Sequence, residues 1–566
     1  MTDLETRNIS FYWATIFIRS LLTSGVRHVV ISPGSRSTPL TMAAAAHPKL
    51  QKHIILDERS AAFTALGIGK ATGKPAILVC TSGTAASNYY PAVIEARQSG
   101  VPLIIATADR PPHLRSTGAN QAIDQIKLFG DYPVFFHEVG EPHADEKDLK
   151  RLKMLARQSA GISQQRRGPV HLNFPFRKPL EPTPDFVKET EKENRETTVN
   201  TSTLTQFRQE IYHLPNGVQK AIASSSRPLI IIGPLAPEDD TQSIASLAEQ
   251  LDCPVLSEST AETDYAINGF AGFLKSSDVR NNLQPDLILR FGFQPTSKAV
   301  ELALRNWDTD HHFHFASTTD WQDATFAGSR HLPWLGRPIA IEQVNHSDNK
   351  EWINQWKKTD YSFRNYLKKN INETAELTDG HLFHQLLPQC GDEYFIAVSN
   401  SFPARDIQLF GRNVNRHPLF LNRGASGIDG VISTTIGLSA GLQKPGILFI
   451  GDLAFLHDTN ALLNHKMVTQ NLTIVVVNNS GGSIFRMLPI KKHKDYFEEY
   501  FETPQSADIQ QLVQSYGIDY HQIADLSALW EFDLQKWQER HPRLSVIECR
   551  TNSDASMALR KKLWNF

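Results

Sequence analysis

Cysteine is scarce: the 566-residue chain has four, Cys80, Cys253, Cys390 and Cys549, and no two form a CxxC pair. That spacing argues against a disulfide framework or a zinc module and fits reduced thiols in a cytosolic setting. Charge of one sign is lacking too. Lys plus Arg total 58 and Asp plus Glu 60, a formal net charge of −2. Near neutrality argues against the broad basic face of a nucleic-acid binder, though not against a small basic pocket for acidic metabolites. Long apolar runs are missing. The longest, such as 229–232 and 474–477, are strand-length and cannot span a bilayer. The opening MTDLETRNIS shows no basic segment followed by an apolar run, so no signal peptide is expected. No GxGxxG follows a strand, which leaves little room for a nicotinamide oxidoreductase.

What the chain does have is alternation. Hydrophobic residues make up 40% and charged residues 21%, which fits sizeable globular cores. At about 100–200 residues per domain, the length suggests three or four domains. In the first block, 28–32 (HVVIS), 53–57 (HIILD), 75–80 (PAILVC) and 102–109 (PLIIATAD) read as buried strands. Between them 38–46, 59–72 and 84–98, rich in Ala and Leu, read as helices. Such alternation implies right-handed βαβ crossovers and a parallel sheet covered on both faces. A second block carries strands at 227–233, 286–292 and 312–316, and a third at 394–399, 446–452 and 472–478. The expected fold is α/β: three doubly wound domains with mostly parallel sheets, at 1–185, 205–345 and 378–566, the first and third alike. The polar stretches 178–205 and 345–379 read as connectors.

The most informative stretch is 446–482. One apolar strand ends in Gly451-Asp452, and a second ends in Asn478-Asn479 before Gly481-Gly482. In a parallel sheet both ends lie on one edge, where open α/β sheets bind ligands. A carboxylate and an amide oxygen side by side suit Mg²⁺, which shares its shell with phosphate oxygens. The glycines let backbone groups approach the same ion. Taken singly, either pair is equally a turn after a strand. A second feature is Glu58, delivered by HIILD to a sheet edge. An unpaired buried carboxylate is costly, but Glu58 also reads as a helix-start acid favoured by the dipole.

Basic and amide residues also accumulate at strand ends: SPGSRSTPL at 32–40, TADRPP at 107–112, GANQA at 118–122, NSFPAR at 400–405 and LNRGASGIDG at 421–430. Each arginine alone is more often a surface residue. Four together (Arg36, Arg110, Arg405 and Arg423) suit a substrate with several carboxylates, which guanidinium groups grip bidentately.

These runs carry a specific resemblance. SPGSRSTPL, LDERSAAF, TSGTAASNYYPAVIEA, TADRPP, GANQAI, NRGASGIDG and VVVNNSGGSIF resemble the 2-succinyl-5-enolpyruvyl-6-hydroxy-3-cyclohexene-1-carboxylate synthase family of thiamine-diphosphate enzymes in menaquinone biosynthesis. Leu453 stands where the broader thiamine-diphosphate motif has a third-position glycine, a departure that itself resembles this narrower family. The resemblance implies three domains of the thiamine-diphosphate-enzyme type and a homo-oligomer, dimer or tetramer, with cofactor sites at the chain interface. It also implies Mg²⁺ or Mn²⁺, a cytoplasmic setting, and no nucleic acid or membrane partner.

By motif, Glu58 resembles the residue that activates the cofactor through N1′ of its aminopyrimidine ring. Asp452 and Asn479 resemble side-chain metal ligands, with Gly481 supplying a carbonyl. Ser426, Gly427, Ile428, Gly451 and Leu453 resemble cofactor-pocket residues. Arg36 and Gln121 are expected at the reacting centre, alongside Arg110, Asn120, Lys298, Ser401, Arg405 and Arg423 for substrate carboxylates. Lys298 is followed by Ala299, where the family pattern has a second basic residue. Ile484 and Phe485 resemble an apolar wall beside the reacting carbon, with plain core packing as the other reading. The implied reaction decarboxylates 2-oxoglutarate and adds the resulting succinic-semialdehyde carbanion to isochorismate by 1,4-addition. A 2-oxoacid decarboxylase or acetolactate-type synthase would share the metal motif, but the basic cluster favours polycarboxylate substrates. A non-catalytic binding protein on the same fold would be expected to lose Glu58 or Asp452, and both are present.

Overall fold

The computed structural model describes residues 8–196, 211–259, 262–317, 321–340, 349–412 and 414–566. Its first sheet has six parallel strands: β1 (His28–Ile31), β2 (Gln51–Ile54), β3 (Ala76–Cys80), β4 (Leu103–Asp109), β5 (Phe135–Glu138) and β6 (Pro169–Pro175). Their order is β2-β1-β3-β4-β6-β5. β3 and β4 are buried along their whole length, in keeping with the apolar runs read at 75–80 and 102–109; β6 is equally buried but carries His171 and Asn173 and does not read as a strand in the sequence. In the middle segment β7 (Tyr212–His213), β8 (Pro228–Ile232), β9 (Val255–Ser257), β10 (Leu287–Phe291), β11 (His311–Ala316), β12 (Arg330–Pro333) and β13 (Ile339–Ala340) form a five-stranded parallel sheet, β12-β11-β10-β8-β9, and a β13-β7 pair. The last sheet contains β14 (Phe395–Val398), β15 (Leu419–Leu421), β16 (Gly446–Gly451), β17 (Leu472–Asn478), β18 (Asp519–Ile523) and β19 (Leu544–Arg550), in the order β15-β14-β16-β17-β19-β18.

The first and last sheets therefore repeat one strand order. In each, the direction of strand addition reverses between the first and third strands, β1 and β3 or β14 and β16. A crevice opens outside the carboxyl ends of the strands at such a switch point; Arg36 follows β1, Ser401 and Arg405 follow β14, and Asp452 and Leu453 follow β16.

Two compact units emerge. Of the described residues, the first takes 8–196 together with Asn422–Gln443 and Asp458–Thr469; the second takes the remainder. Inside the first, helices Glu58–Thr72 and Val431–Leu442 cross in backbone contact. A Cβ on Gly67 would lie 2.0 Å from the Thr434 carbonyl oxygen, and one on Gly437 2.1 Å from that of Thr64, so only glycine fits either position. Among the described residues no helix is long and apolar enough to cross a membrane. All four cysteines are free and buried.

Several expectations need correction. The strand read at 53–57 lies at Gln51–Ile54, and it is an exposed edge rather than a buried strand. Pairing with β1 stops at Ile31↔Ile54, so Leu56 is left outside the ladder and 70% exposed. The helix read at 84–98 breaks into Thr84–Ser87 and Tyr90–Gln98. The first connector contains helix Pro184–Glu196, while 197–205 lie outside the described residues. Its buried positions, Phe186, Thr190 and Asn194, recur every four residues, but two are polar, which hid the helix from an apolar-period reading. Phe186 packs edge-on against Phe11 at 5.3 Å, and Asn194 donates to the Ala46 carbonyl at 2.9 Å. The second connector is helix Lys350–Glu373, which buries Trp352, Trp356, Phe363 and Ile371; 345–348 lie outside the described residues.

Candidate functional site

In the second unit, β16 and β17 run side by side with Gly451 opposite Val477. Their ends consequently meet at one edge. Asp452, 6% exposed, opens helix Asp452–His457, and its Oδ2 accepts the Gly481 N–H at 2.7 Å. Burial pushes its carboxyl up to about 6; bonds from the Gly481 and Leu453 amides work against that rise, and nearby Asp379 adds to it. Gly481 takes a φ of +118°, and a Cβ there would lie 2.3 Å from the Glu502 carbonyl oxygen. Its own carbonyl accepts Ser483 N–H at 2.8 Å, which leaves a second lone pair. The Gly451 amide donates to Ser399 Oγ at 3.2 Å, tying the ends of β16 and β14 together. One carboxylate, one amide oxygen and one carbonyl form a hard-oxygen set that fits a six-coordinate divalent cation and leaves room in its shell for phosphate oxygens.

Asn479 is held from behind. Its Nδ2 donates to Asp379 Oδ2 at 3.2 Å, and its Oδ1 accepts from Ser483 Oγ at 3.1 Å. Asp379 in turn meets Arg560 at 2.5 Å, and Arg560 also pairs with Asp406. Burial opposes the charge on Arg560, yet the two carboxylates hold its pKa above the ordinary guanidinium value. The sequence reading missed this brace. Arg560 sits in the run Arg560-Lys561-Lys562, which looks like a solvated face; only the flanking Leu559 and Leu563, one turn apart, hint otherwise. Arg560 is 1% exposed. Replacing it with Met would leave two buried carboxylates unpaired, and we expect a loss of about 3–5 kcal/mol of unfolding free energy. Denaturant titration checks this; a loss under about 1 kcal/mol would contradict the brace.

Two further groups of the second unit approach a common cavity. Lys298 opens helix Lys298–Asn306, and Arg405 belongs to helix Phe402–Phe410. Arg405 was expected at a strand end, but the helix begins so soon after β14 that it falls one turn inside; its Nη1 donates to the Ser401 carbonyl at 2.7 Å. Ser401 holds a φ of +73° at the helix start. Ile484 and Phe485 lie half-buried in the short helix Ser483–Met487 that follows Gly481-Gly482, with Phe485 5.9 Å from the Phe501 ring.

The first unit contains the rest. Glu58 is the first residue of helix Glu58–Thr72, capped by Asp57, whose Oδ1 accepts the Arg59 and Ser60 amides at 2.9 and 3.2 Å. Asp57 Oδ2 accepts from Asn460 Nδ2 at 2.8 Å, so the helix start is pinned on two sides. Nearby Cys80 and Tyr89 have pKa values raised by burial, and the Glu58 charge adds to both shifts. Glu58 itself is half-buried.

Arg36 follows β1 and is 3% exposed. Its Nη1 donates to the Phe176 carbonyl at 2.7 Å, its Nε has no partner, and no described carboxylate reaches ion-pair distance. A Cβ on Gly34 would lie 2.3 Å from Thr81 Cβ, so the loops after β1 and β3 touch at the switch point. Arg110 follows β4 with its Nε unpartnered, while the adjacent Asp109 is neutralised by Arg115 at 2.8 Å. Asn120 and Gln121 are exposed; Gln121, at φ +58°, donates to the Ser82 carbonyl at 3.3 Å. The sequence reading missed buried Gln125, which accepts the Gly83 amide at 3.0 Å and donates to Asn173 Oδ1 at 3.0 Å.

Arg423, Ser426, Gly427 and Ile428 lie on the loop after β15, which belongs to the first unit. Buried Glu95 accepts the Gly424 and Ala425 amides at 3.0 and 2.7 Å and faces Lys70 at 3.4 Å. That anchor explains why a loop from the third block packs with the first. Glu58 and the arginines 36, 110 and 423 thus gather in one unit, and Asp452, Asn479, Gly481, Lys298 and Arg405 in the other.

Comparison with known proteins gives a consistent result. Residues 13–128 match the N-terminal thiamine-pyrophosphate-binding domain of thiamine pyrophosphate enzymes, 200–395 the middle domain, and 407–549 the C-terminal thiamine-pyrophosphate-binding domain. A 2-succinyl-5-enolpyruvyl-6-hydroxy-3-cyclohexene-1-carboxylate synthase of Microcystis aeruginosa is 40% identical, covering 97% of each chain. One from Bacillus velezensis is 36% identical over 97% of this chain and 96% of that protein. A third, from Synechococcus elongatus, is 38% identical over 92% and 90%.

Proposed function

Because the chain belongs to the family of thiamine-diphosphate-dependent 2-succinyl-5-enolpyruvyl-6-hydroxy-3-cyclohexene-1-carboxylate synthases, we propose that the residues above carry out that synthesis. The enzyme is a transferase of menaquinone biosynthesis: it releases CO₂ from 2-oxoglutarate and adds the remaining four-carbon unit to isochorismate by 1,4-addition. The observation that carries the reading is the corner where the Gly481 amide meets Asp452 at 2.7 Å. That contact supports reading the Asp452 carboxylate, the Gly481 carbonyl and Asn479 as the set that would hold a metal–diphosphate group.

Thiamine diphosphate, when bound, would supply a nucleophilic carbon and an electron sink for the loss of CO₂. Glu58 holds a proton at N1′ of the aminopyrimidine. Asp452, Asn479 and the Gly481 carbonyl would hold Mg²⁺ or Mn²⁺ together with the diphosphate, with Gly451 and Leu453 as further cofactor-pocket residues. Ser426, Gly427 and Ile428 line the organic part of the pocket. Arg36 and Arg110 bring guanidinium nitrogens without carboxylate partners, which suits substrate carboxylates, and Gln121 and Asn120 orient them. Lys298, Ser401, Arg405 and Arg423 take further carboxylate or keto oxygens. Ile484 and Phe485 exclude water, so that carbon rather than a proton captures the four-carbon unit.

The protein works in the cytoplasm as a homo-oligomer with its cofactor sites at the interface between chains. Ile54 and Leu56, 58% and 70% exposed just before Glu58, form an apolar edge suited to burial against a second copy. Leu56→Asp should shift sedimentation toward monomer and lower activity per chain; an unchanged assembly would count against this interface. The reaction is tested with 2-oxoglutarate labelled separately in its 1-carboxyl and in its remaining carbons. The first label should leave entirely as CO₂, and the second should appear in a product whose mass equals isochorismate plus succinic semialdehyde. Label recovered only in free succinic semialdehyde would refute the synthase reading.

A further inference from the structure

Lys275 is a cation of the second unit without a carboxylate partner among the described residues. Lys275 lines the cavity that Lys298, Arg405, Ser297 and Met487 also border. Its ammonium lies 5.5 Å from the centre of the Trp564 ring, and among the described residues no carboxylate comes within ion-pair distance of it. The carboxylates nearby are already engaged. Glu301 meets Lys298 at 2.6 Å and Arg305 at 2.9 Å. Asp406, which borders the cavity, is paired with Arg560. Arg280 turns away, donating to the Leu274 and Lys275 carbonyls at 2.7 Å each. The cavity wall thus carries more positive than negative charge, and the excess is centred on Lys275.

We propose that Lys275 is a substrate-binding residue: with Lys298 and Arg405 it holds a carboxylate of one of the two substrates. The assignment rests on the proposed reaction, which supplies 2-oxoglutarate and isochorismate as the two carboxylate sources. Glu301 already answers Lys298, but no carboxylate among the described residues answers Lys275, and a partly buried ammonium without one is costly. Burial lowers the Lys275 pKa to about 8, with Lys298, Arg405 and Arg280 lowering it further and Glu301 opposing them. Below about pH 8 the ammonium is charged and ready for a carboxylate. Above it, the free enzyme sheds this proton and the site loses one cation. The KM for the substrate it holds should therefore rise as pH passes 8.

The first test compares Lys275→Met and Lys275→Arg with the wild type, measuring KM separately for 2-oxoglutarate and isochorismate between about pH 6.5 and 9. Lys275→Met should raise one KM about tenfold or more while kcat and thiamine-diphosphate affinity stay within about twofold. Lys275→Arg should restore the low KM and abolish its rise above pH 8, because arginine stays charged. The substrate whose KM moves identifies the carboxylate. Both KM values within about twofold of wild type in Lys275→Met would overturn the proposal.

A second measurement does not need turnover. A limiting amine-acylating reagent at about pH 7.5 should modify Lys275 ahead of surface lysines, and 2-oxoglutarate or isochorismate should slow that modification at this residue alone. Labelling unaffected by either substrate would reject the Lys275 assignment. A wild-type enzyme that shows this protection but no coupled turnover would instead reject the proposed reaction.

Discussion

Replacing Glu58 with Gln is expected to lower turnover by about a hundred- to ten-thousand-fold, the range for losing a positioned general acid–base group, while the fold and cofactor binding persist. Gln keeps the size and hydrogen-bonding reach of Glu but cannot hold a negative charge against a protonated ring nitrogen. The surroundings make the substitution informative. Asp57 caps the same helix through the Arg59 and Ser60 amides and is itself pinned by Asn460, so the backbone at position 58 does not depend on the Glu58 side chain. Burial raises the pKa values of Tyr89 and Cys80, and the Glu58 charge adds to both rises. Charge in such surroundings interacts more strongly than in water. The direct readout is exchange of the thiazolium C2 proton with deuterated solvent in the cofactor-loaded enzyme. Exchange in the variant should fall in step with turnover. Exchange at the wild-type rate would show that Glu58 does not activate the cofactor.

Asp452→Asn is expected to abolish cofactor retention rather than to slow a bound cofactor. The Asn amide oxygen can still accept the Gly481 N–H that Asp452 Oδ2 now takes at 2.7 Å, so the turn survives while the anionic metal ligand is lost. Losing even an outer-shell partner of a metal site typically costs about 10–100-fold in affinity, and loss of the one carboxylate in this set should cost more. A ligand at a hundred times its Kd stabilises the folded state by about 2.7 kcal/mol. Wild-type protein should therefore gain several degrees of thermal stability from thiamine diphosphate with Mg²⁺, and the variant almost none. An equal gain in both would place the metal elsewhere. The free variant should be no less stable than the free wild type, because burial already raises the Asp452 carboxyl to about 6 and a neutral amide removes that unfavourable charge.

The parts of this site that could be read from the sequence were those fixed by strand ends. Asp452 and Asn479 each sit at the end of an apolar run that reads as a buried strand, and β16 and β17 are neighbours in the sheet; the strand ends were legible from the apolar runs, the metal role only from the motif's resemblance. Arg36 and Arg110 follow β1 and β4 in the same way. The likeness of the first and third blocks is now visible as an identical strand order. What escaped was side-chain partnership across helices. The Arg560–Asp379–Asp406 brace joins residues up to 181 positions apart. Lys275 reaches its cavity from a segment whose polar pattern carries no motif. Arg405 was misplaced by a turn because only a few residues separate β14 from the next helix. The helices at Pro184–Glu196 and Lys350–Glu373 read as connectors in the sequence: the first buries polar side chains, and the second spreads its aromatic anchors through a strongly charged sequence. In both, tertiary burial overrode the local signal.

The central claim is that both substrates are consumed in one coupled reaction. The most direct measurement mixes the pure protein with thiamine diphosphate, Mg²⁺ and 2-oxoglutarate, with and without isochorismate, and follows CO₂ release and isochorismate disappearance together. The account predicts that CO₂ is released rapidly only when isochorismate is present, and that one isochorismate is lost for each CO₂. Rapid CO₂ release with isochorismate untouched would contradict it.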